Sequence, residues 1–128
     1  MILDTSVVVS LIRREQGAEP LLEKVKDADR IAIGAPTLVE ATVVLARRHG
    51  LSGCEALDRF LEEREVVLIP FGHGHWRAAQ SAFVRFGKSR HPAALNSGDC
   101  MSYATASVAG EPLLFTGDDF AMTDIPPA

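Results

Sequence analysis

Short apolar runs alternate along this chain with stretches of helical periodicity, and that alternation limits the possible folds more than any other feature. Met1 to Leu3, Arg30 to Ala35, Val66 to Ile69 and Pro112 to Thr116 read as strands, with helical patterns between one and the next. The order predicts an α/β fold, a central parallel sheet flanked by helices, because parallel neighbours need long crossovers and a helix is the usual one. A chain of 128 residues is one domain's worth, so residues 1–128 are expected to form a single unit. A unit of that size buries roughly two-thirds of its unfolded surface and needs no staples. No internal repeat or low-complexity segment disturbs the reading.

The helices are bounded by recognisable signals. Asp4-Thr5-Ser6 supplies cap residues straight after the first strand, and a second helix is expected over Glu19 to Lys26. Pro36 suits the first turn of a third, Gly50 its end, and Leu38, Thr42, Leu45 and Ala46 its inner side. Further helices are predicted over Ser52 to Arg64, His75 to Phe86 and Gly98 to Ala109. The segment Gly87 to Leu95 reads as a basic loop, and Asp124 to Ala128 as a short strand or none.

Composition narrows the class without naming a function. An apolar fraction of 47% with 23% charged residues is ordinary for a globular protein. Cys54 and Cys100 form no CxxC pair, which predicts reduced thiols rather than a disulfide or a zinc site. No secretory signal or membrane-length apolar run is evident, so a cytoplasmic protein with no membrane association is expected. The net charge of −4 argues against a protein that coats nucleic acid, yet it allows a nuclease whose acids are filled by cations.

Three of the candidate acids stand where such a fold places ligands, outside the carboxyl ends of its strands. Asp4 follows the first strand and Asp118, with Asp119 beside it, follows the last; they meet if those strands are neighbours. Asp99 opens a helix, Cys100 to Ala106, that is small or apolar almost all round. Burying a carboxylate there costs several kcal/mol, roughly, unless a cation or hydrogen bonds compensate. Glu40 lies in the first turn of the third helix, opposite Leu38 on a helical wheel.

Each acid also has a structural reading. Asp4 is a good cap, Asp118 a turn residue, Glu40 a solvated surface group, and Asp99 a favourable charge at a helix start. Jointly they point to chemistry. Hard divalent cations take oxygen ligands and keep several waters, so clustered carboxylates without a His or Cys set suit Mg²⁺ or Mn²⁺ rather than zinc. Such ions activate water against phosphodiesters. His73-Gly74-His75 reads as a helix entry rather than a ligand pair. Trp76, Phe83 and Phe86 read as core or dimer surface, and Cys100 as small packing.

Three segments carry a family resemblance. Met1-Ile2-Leu3-Asp4-Thr5-Ser6 looks like the opening strand of PIN-domain nucleases. Leu95-Asn96-Ser97-Gly98-Asp99-Cys100-Met101-Ser102-Tyr103-Ala104 resembles the third-acid motif of VapC-type toxins, and Leu113-Leu114-Phe115-Thr116-Gly117-Asp118-Asp119-Phe120 their fourth. Phe86 to Pro92 is similar to a basic loop common in that group. The resemblance implies the toxin of a toxin–antitoxin pair, a Mg²⁺- or Mn²⁺-dependent endoribonuclease that dimerises and is bound by a small antitoxin. It implies Asp4, Asp99 and Asp118 as metal ligands, with Glu40 completing the catalytic pocket. Thr5, Ser6 and Asp119 are expected to support them from behind. Arg85, Lys88, Arg90 and His91, clustered just before Asp99, are expected to touch the RNA backbone.

Other classes fit less well. A haloacid-dehalogenase-like phosphatase wants a second Asp two positions after the first, where this chain has Ser6. A receiver domain wants paired acids after the first strand and a lysine after the last. The non-enzyme alternative is an inactive PIN-like binding module, whose sign would be a missing acid.

Overall fold

The computed structural model describes residues 1–128 and alternates strand and helix as the sequence predicts. The elements are β1 (Ile2–Leu3), α1 (Thr5–Arg13), α2 (Ala18–Asp27), β2 (Ala32–Gly34), α3 (Ala35–His49), α4 (Leu51–Glu63), β3 (Val67–Ile69), α5 (His73–Phe86), α6 (Ser97–Ala109) and β4 (Leu113–Leu114). A 3₁₀ turn, Phe120–Met122, follows. The sheet has the order β3-β2-β1-β4 and every pairing is parallel. Ile2 lies opposite Ala32 on one side and Leu113 on the other. Beyond β4 the tail adds a lone parallel bridge between Leu113 and Pro127.

Side-chain alternation divides the core into two layers, one on each face of the sheet. Ile2, Ala32 and Leu113 face α5 and α6, packing with Phe86, Tyr103, Ala106 and the tail residues Phe120 and Ile125. Leu3, Ile33 and Leu114 face the other way, toward Val7 and Val8 of α1, Val25 of α2, Ala41 and Leu45 of α3 and Leu57 of α4. Strands covered on both faces explain the unbroken apolar runs in the sequence.

Topology puts the acids on one rim. The chain builds outward from β1 to β3, then crosses back to lay β4 on the other side of β1, so the strand order reverses at the β1–β4 boundary. Asp4 follows β1, α3 starts directly from β2, and the loop with Asp118 and Asp119 follows β4. Helix α6 leads into β4 and returns along the sheet, so its first turn, with Asp99, starts at that same carboxyl rim.

Helix α3 differs from the expectation in one respect. Its fully buried stripe is Thr37, Ala41 and Leu45, with Leu38 only partly buried. The inner face is turned by about one residue because α3 packs against α6 as well as the sheet, and Thr37 meets Ser102 there. That rotation carries Glu40 toward α6 instead of leaving it on the free surface.

Candidate active site

Asp4 caps α1 and is buried. One of its oxygens, Oδ2, accepts from the Ser6 backbone N–H at 3.0 Å and from the Ser6 hydroxyl at 2.7 Å. The other, Oδ1, has no hydrogen-bond partner in the protein. Ser6 Oγ in turn accepts from the Thr116 backbone N–H at 3.1 Å, tying the end of β1 to the loop after β4. Ser6 thus holds one oxygen of Asp4 through two hydrogen bonds. Thr5 does not; its hydroxyl donates to the Thr37 carbonyl at 3.4 Å.

Asp99 and Asn96 form a reciprocal cap at the start of α6. Asn96 Oδ1 accepts from the Asp99 N–H and Asp99 Oδ2 accepts from the Asn96 N–H, both at 2.9 Å. Asp99 is thus a helix-start residue, as its structural reading expected, and its second oxygen has no hydrogen-bond partner in the protein. Glu40 is exposed over much of its length, but its carboxylate end lies against the first turn of α6 at Gly98.

The charges of these three acids act on one another. Desolvation, then the charges of Asp4 and Asp99, raise the Glu40 pKa. Asp99 is raised by desolvation and by the charges of Asp4 and Asp119, against a lowering by the Asn96 backbone N–H. The carboxylates repel one another in a partly desolvated place, which is the condition a cation relieves. Cys100 is pushed up to about 11 by burial and by Asp99, so its thiol stays protonated and is packing, not a nucleophile.

Of the two adjacent acids after β4, Asp119 is the one whose charge reaches Asp99. Gly117 turns the chain in the left-handed region at φ 82°, and Asp118 accepts from the Ala121 N–H to open the 3₁₀ turn. The sequence selected Asp118, with Asp119 beside it as a candidate sharer of the role, and both lie in the loop that leaves β4 at the rim.

The acids do not converge into a ready-made three-ligand cage. The donors nonetheless fit a hydrated hard cation. All are carboxylate oxygens, and Asp4 and Asp99 each keep one without a hydrogen-bond partner; Mg²⁺ is typically held by one or two carboxylates with the rest of its shell water.

The basic segment is ordered rather than loose. Lys88 N donates to the Leu95 carbonyl at 2.9 Å, Leu95 N to the Phe86 carbonyl at 3.0 Å, and Ala93 and Leu95 are buried. Lys88 and Arg90 are exposed and make no ion pair. Arg85 is engaged elsewhere, 2.6 Å from Asp124 and stacked on the Phe86 ring. His91 sits edge-on to Phe86, its Nδ1 accepting from the Ala93 N–H. The other histidine motif is a helix entry, with His75 Nδ1 accepting from the Gly72 N–H.

Several supporting residues escaped the sequence reading. Thr37 and Ser102 share a buried hydroxyl contact of 3.0 Å between α3 and α6. Each stands one helical turn from an acid, Thr37 before Glu40 and Ser102 after Asp99. Buried hydroxyls spaced by three from an acid on a helix were the available signal. Asn96 and Gly98 were visible only as parts of a motif.

Comparison with known proteins agrees with this architecture. The PIN domain family model matches residues 1–125. Ribonuclease VapC36 of Mycobacterium tuberculosis is 42% identical over 126 residues, covering 98% of this chain and 91% of that protein. Two solved structures share the fold. VapC20 of Mycobacterium tuberculosis, described as a Sarcin-Ricin loop cleaving toxin, superposes with a TM-score of 0.79 at 15% identity, covering 99% of this chain and 97% of that one. VapBC2 of Rickettsia felis, solved bound to a DNA fragment from its promoter, gives 0.78 at 16% identity, with 98% and 94% covered. With the four-stranded parallel sheet, its acid rim and a relative this similar over nearly its whole length, the chain belongs to the PIN-domain endoribonucleases of the VapC toxin family.

Proposed function

We propose that this protein cleaves RNA with a divalent cation, Mg²⁺ or Mn²⁺, held at the rim by Asp4 and Asp99, with Glu40 and Asp119 completing the pocket and Asp118 beside it. The observation that supports the reading is that Asp4 and Asp99 each keep one carboxylate oxygen without a hydrogen-bond partner, while the charge of Asp4 raises both Glu40 and Asp99. When bound, such an ion lowers the pKa of water and stabilises the charge that builds on a phosphodiester in the transition state. The chain's own groups do the rest. Ser6 and Asn96 each occupy one carboxylate oxygen and leave the other facing the pocket. Glu40, raised in pKa, accepts the proton of the attacking water. Lys88 and Arg90 hold the RNA backbone beside the site, while Arg85 and His91 shape the loop that presents them.

The biological setting follows the relatives. A toxin of a type II pair, it acts in the cytoplasm, as a homodimer, restrained by a cognate small antitoxin. No helix is long and apolar enough to cross a membrane. Complexes such as VapBC2 support the antitoxin.

The test is cleavage of a mixed cellular RNA pool by partner-free protein with EDTA, Mg²⁺ or Mn²⁺. Cutting is expected only with the metal, leaving 5′-phosphate and 3′-hydroxyl ends, suppressed by co-purified antitoxin and weakened in KM by reversing Lys88 and Arg90 to Glu. Products ending in 2′,3′-cyclic phosphate, or undiminished cutting in EDTA, would overturn it.

A further inference from the structure

A side chain at position 98 would have no room. A Cβ built on Gly98 would collide with the Glu40 carboxylate oxygen Oε2 and stand 3.0 Å from Glu40 Cδ and 3.3 Å from Asn96 Oδ1. Gly98 is helical and its φ is not in the left-handed region, so its backbone conformation does not require glycine. Within a helix, glycine is the residue that costs stability relative to alanine. Something other than backbone geometry accounts for it, and the neighbour in the vacant space is a carboxylate of the acid rim.

We propose that Gly98 is a positioning residue for RNA cleavage: its missing side chain leaves the space that the Glu40 carboxylate fills at the first turn of α6, and so sets where that carboxylate enters the pocket. The inference rests on the nuclease reading above. Its mechanism is steric. The atom in the way is the end of a flexible side chain, and beside it opens a depression of about 430 Å³ bounded by Pro36, Val39, Asn96 and Met101. A methyl at position 98 would swing Glu40 outward into that depression without disturbing backbone. The fold survives and the carboxylate is misplaced by about 1 Å, a displacement that can lower catalysis ~100-fold.

The experiment compares the parent, Gly98→Ala, Glu40→Ala and the double variant, by melting temperature in EDTA and by single-turnover cleavage with protein in excess. Gly98→Ala is expected to melt at or ~2–4 °C above the parent, as a helical Gly→Ala change should. Its cleavage rate should fall ~10–100-fold. In the Glu40→Ala background the same change should keep the thermal gain and alter cleavage by less than ~3-fold. Parent-like cleavage by Gly98→Ala, or an equal loss in both backgrounds, overturns the proposal. A melting point well below the parent also overturns it, because the methyl would then strike something less mobile than Glu40. If the parent itself does not cleave while Gly98→Ala still melts at or above it, the nuclease reading has failed and the steric claim stands.

Discussion

Helix α6 carries two carboxylate neighbourhoods barely a turn apart, and they are built on opposite principles. At its start, Asp99 sits with Asp4, Glu40 and Asp119, a partly desolvated group of like charges in which Asp99 and Glu40 are raised in pKa. Four residues on, the Tyr103 hydroxyl donates to Asp124 at 2.6 Å while Arg85 pairs with the same carboxylate at 2.6 Å. Those two donors hold Asp124 below its ordinary value. One site is charge-balanced and seals the tail against α5 and α6. The other is left unbalanced, and imbalance of that kind destabilises a fold unless a cation or a proton is there to relieve it. A carboxylate's function is legible from whether the protein has compensated it.

The comparison breaks most visibly at Asp99. Asp99→Asn keeps an oxygen to accept from the Asn96 N–H but removes charge, so RNA cleavage should fall roughly 10²–10³-fold. In EDTA the same variant should be more stable than the parent near neutral pH. The sign follows from the raised pKa. A raised carboxylate binds its proton more tightly in the folded state, so its penalty is absent below the ordinary value of 3.8 and complete above the folded one. Thermal melts of both proteins in EDTA should therefore converge in acid and separate as pH rises. A variant less stable at every pH would mean that Asp99 is compensated after all and belongs with Asp124.

Asp118 and Asp119 sharpen the contrast at smaller scale. Asp119→Asn should lower cleavage ~10–100-fold, whereas Asp118→Asn, whose backbone carbonyl rather than its charge serves the turn, should stay within ~3-fold. The reverse ranking of the two rates would return the fourth-acid role to Asp118.

How much of this was legible follows from range. The parallel sheet, the helix order and the acids at strand ends came from local periodicity and caps, which report neighbours a few residues apart. Asp4 with Ser6 was readable because the pair closes within two residues, whereas the Asn96 cap on Asp99, though only three residues long, was visible only as part of a motif. What stayed hidden crosses the fold. Glu40 meets Gly98 only because α3 rolls its Thr37 onto Ser102 of α6, and a wheel drawn on α3 alone cannot show that. Arg85 looked like part of a basic RNA-binding run because its partner, Asp124, lies 39 residues away. Between two adjacent aspartates the sequence offers only a motif, because a left-handed glycine and a 3₁₀ turn follow β4 there and periodicity does not extend through such a turn.

The smallest effect is expected on the balanced side. Asp124 is exposed, so its pair with Arg85 is screened by solvent and contributes little to stability. Its pKa is lowered, so that contribution is present above the ordinary carboxylate value and fades as pH falls through the folded one, the opposite of the trend at Asp99. Asp124→Asn should accordingly lower the melting temperature by at most ~5 °C near neutral pH and by less in acid. Cleavage should stay within ~2-fold of the parent, since neither Arg85 nor Tyr103 borders the acid rim. A large loss of cleavage with an unchanged melting point would show that the tail carboxylate acts on the RNA site through Arg85, and the division of α6 into a structural and a catalytic neighbourhood would have to be abandoned.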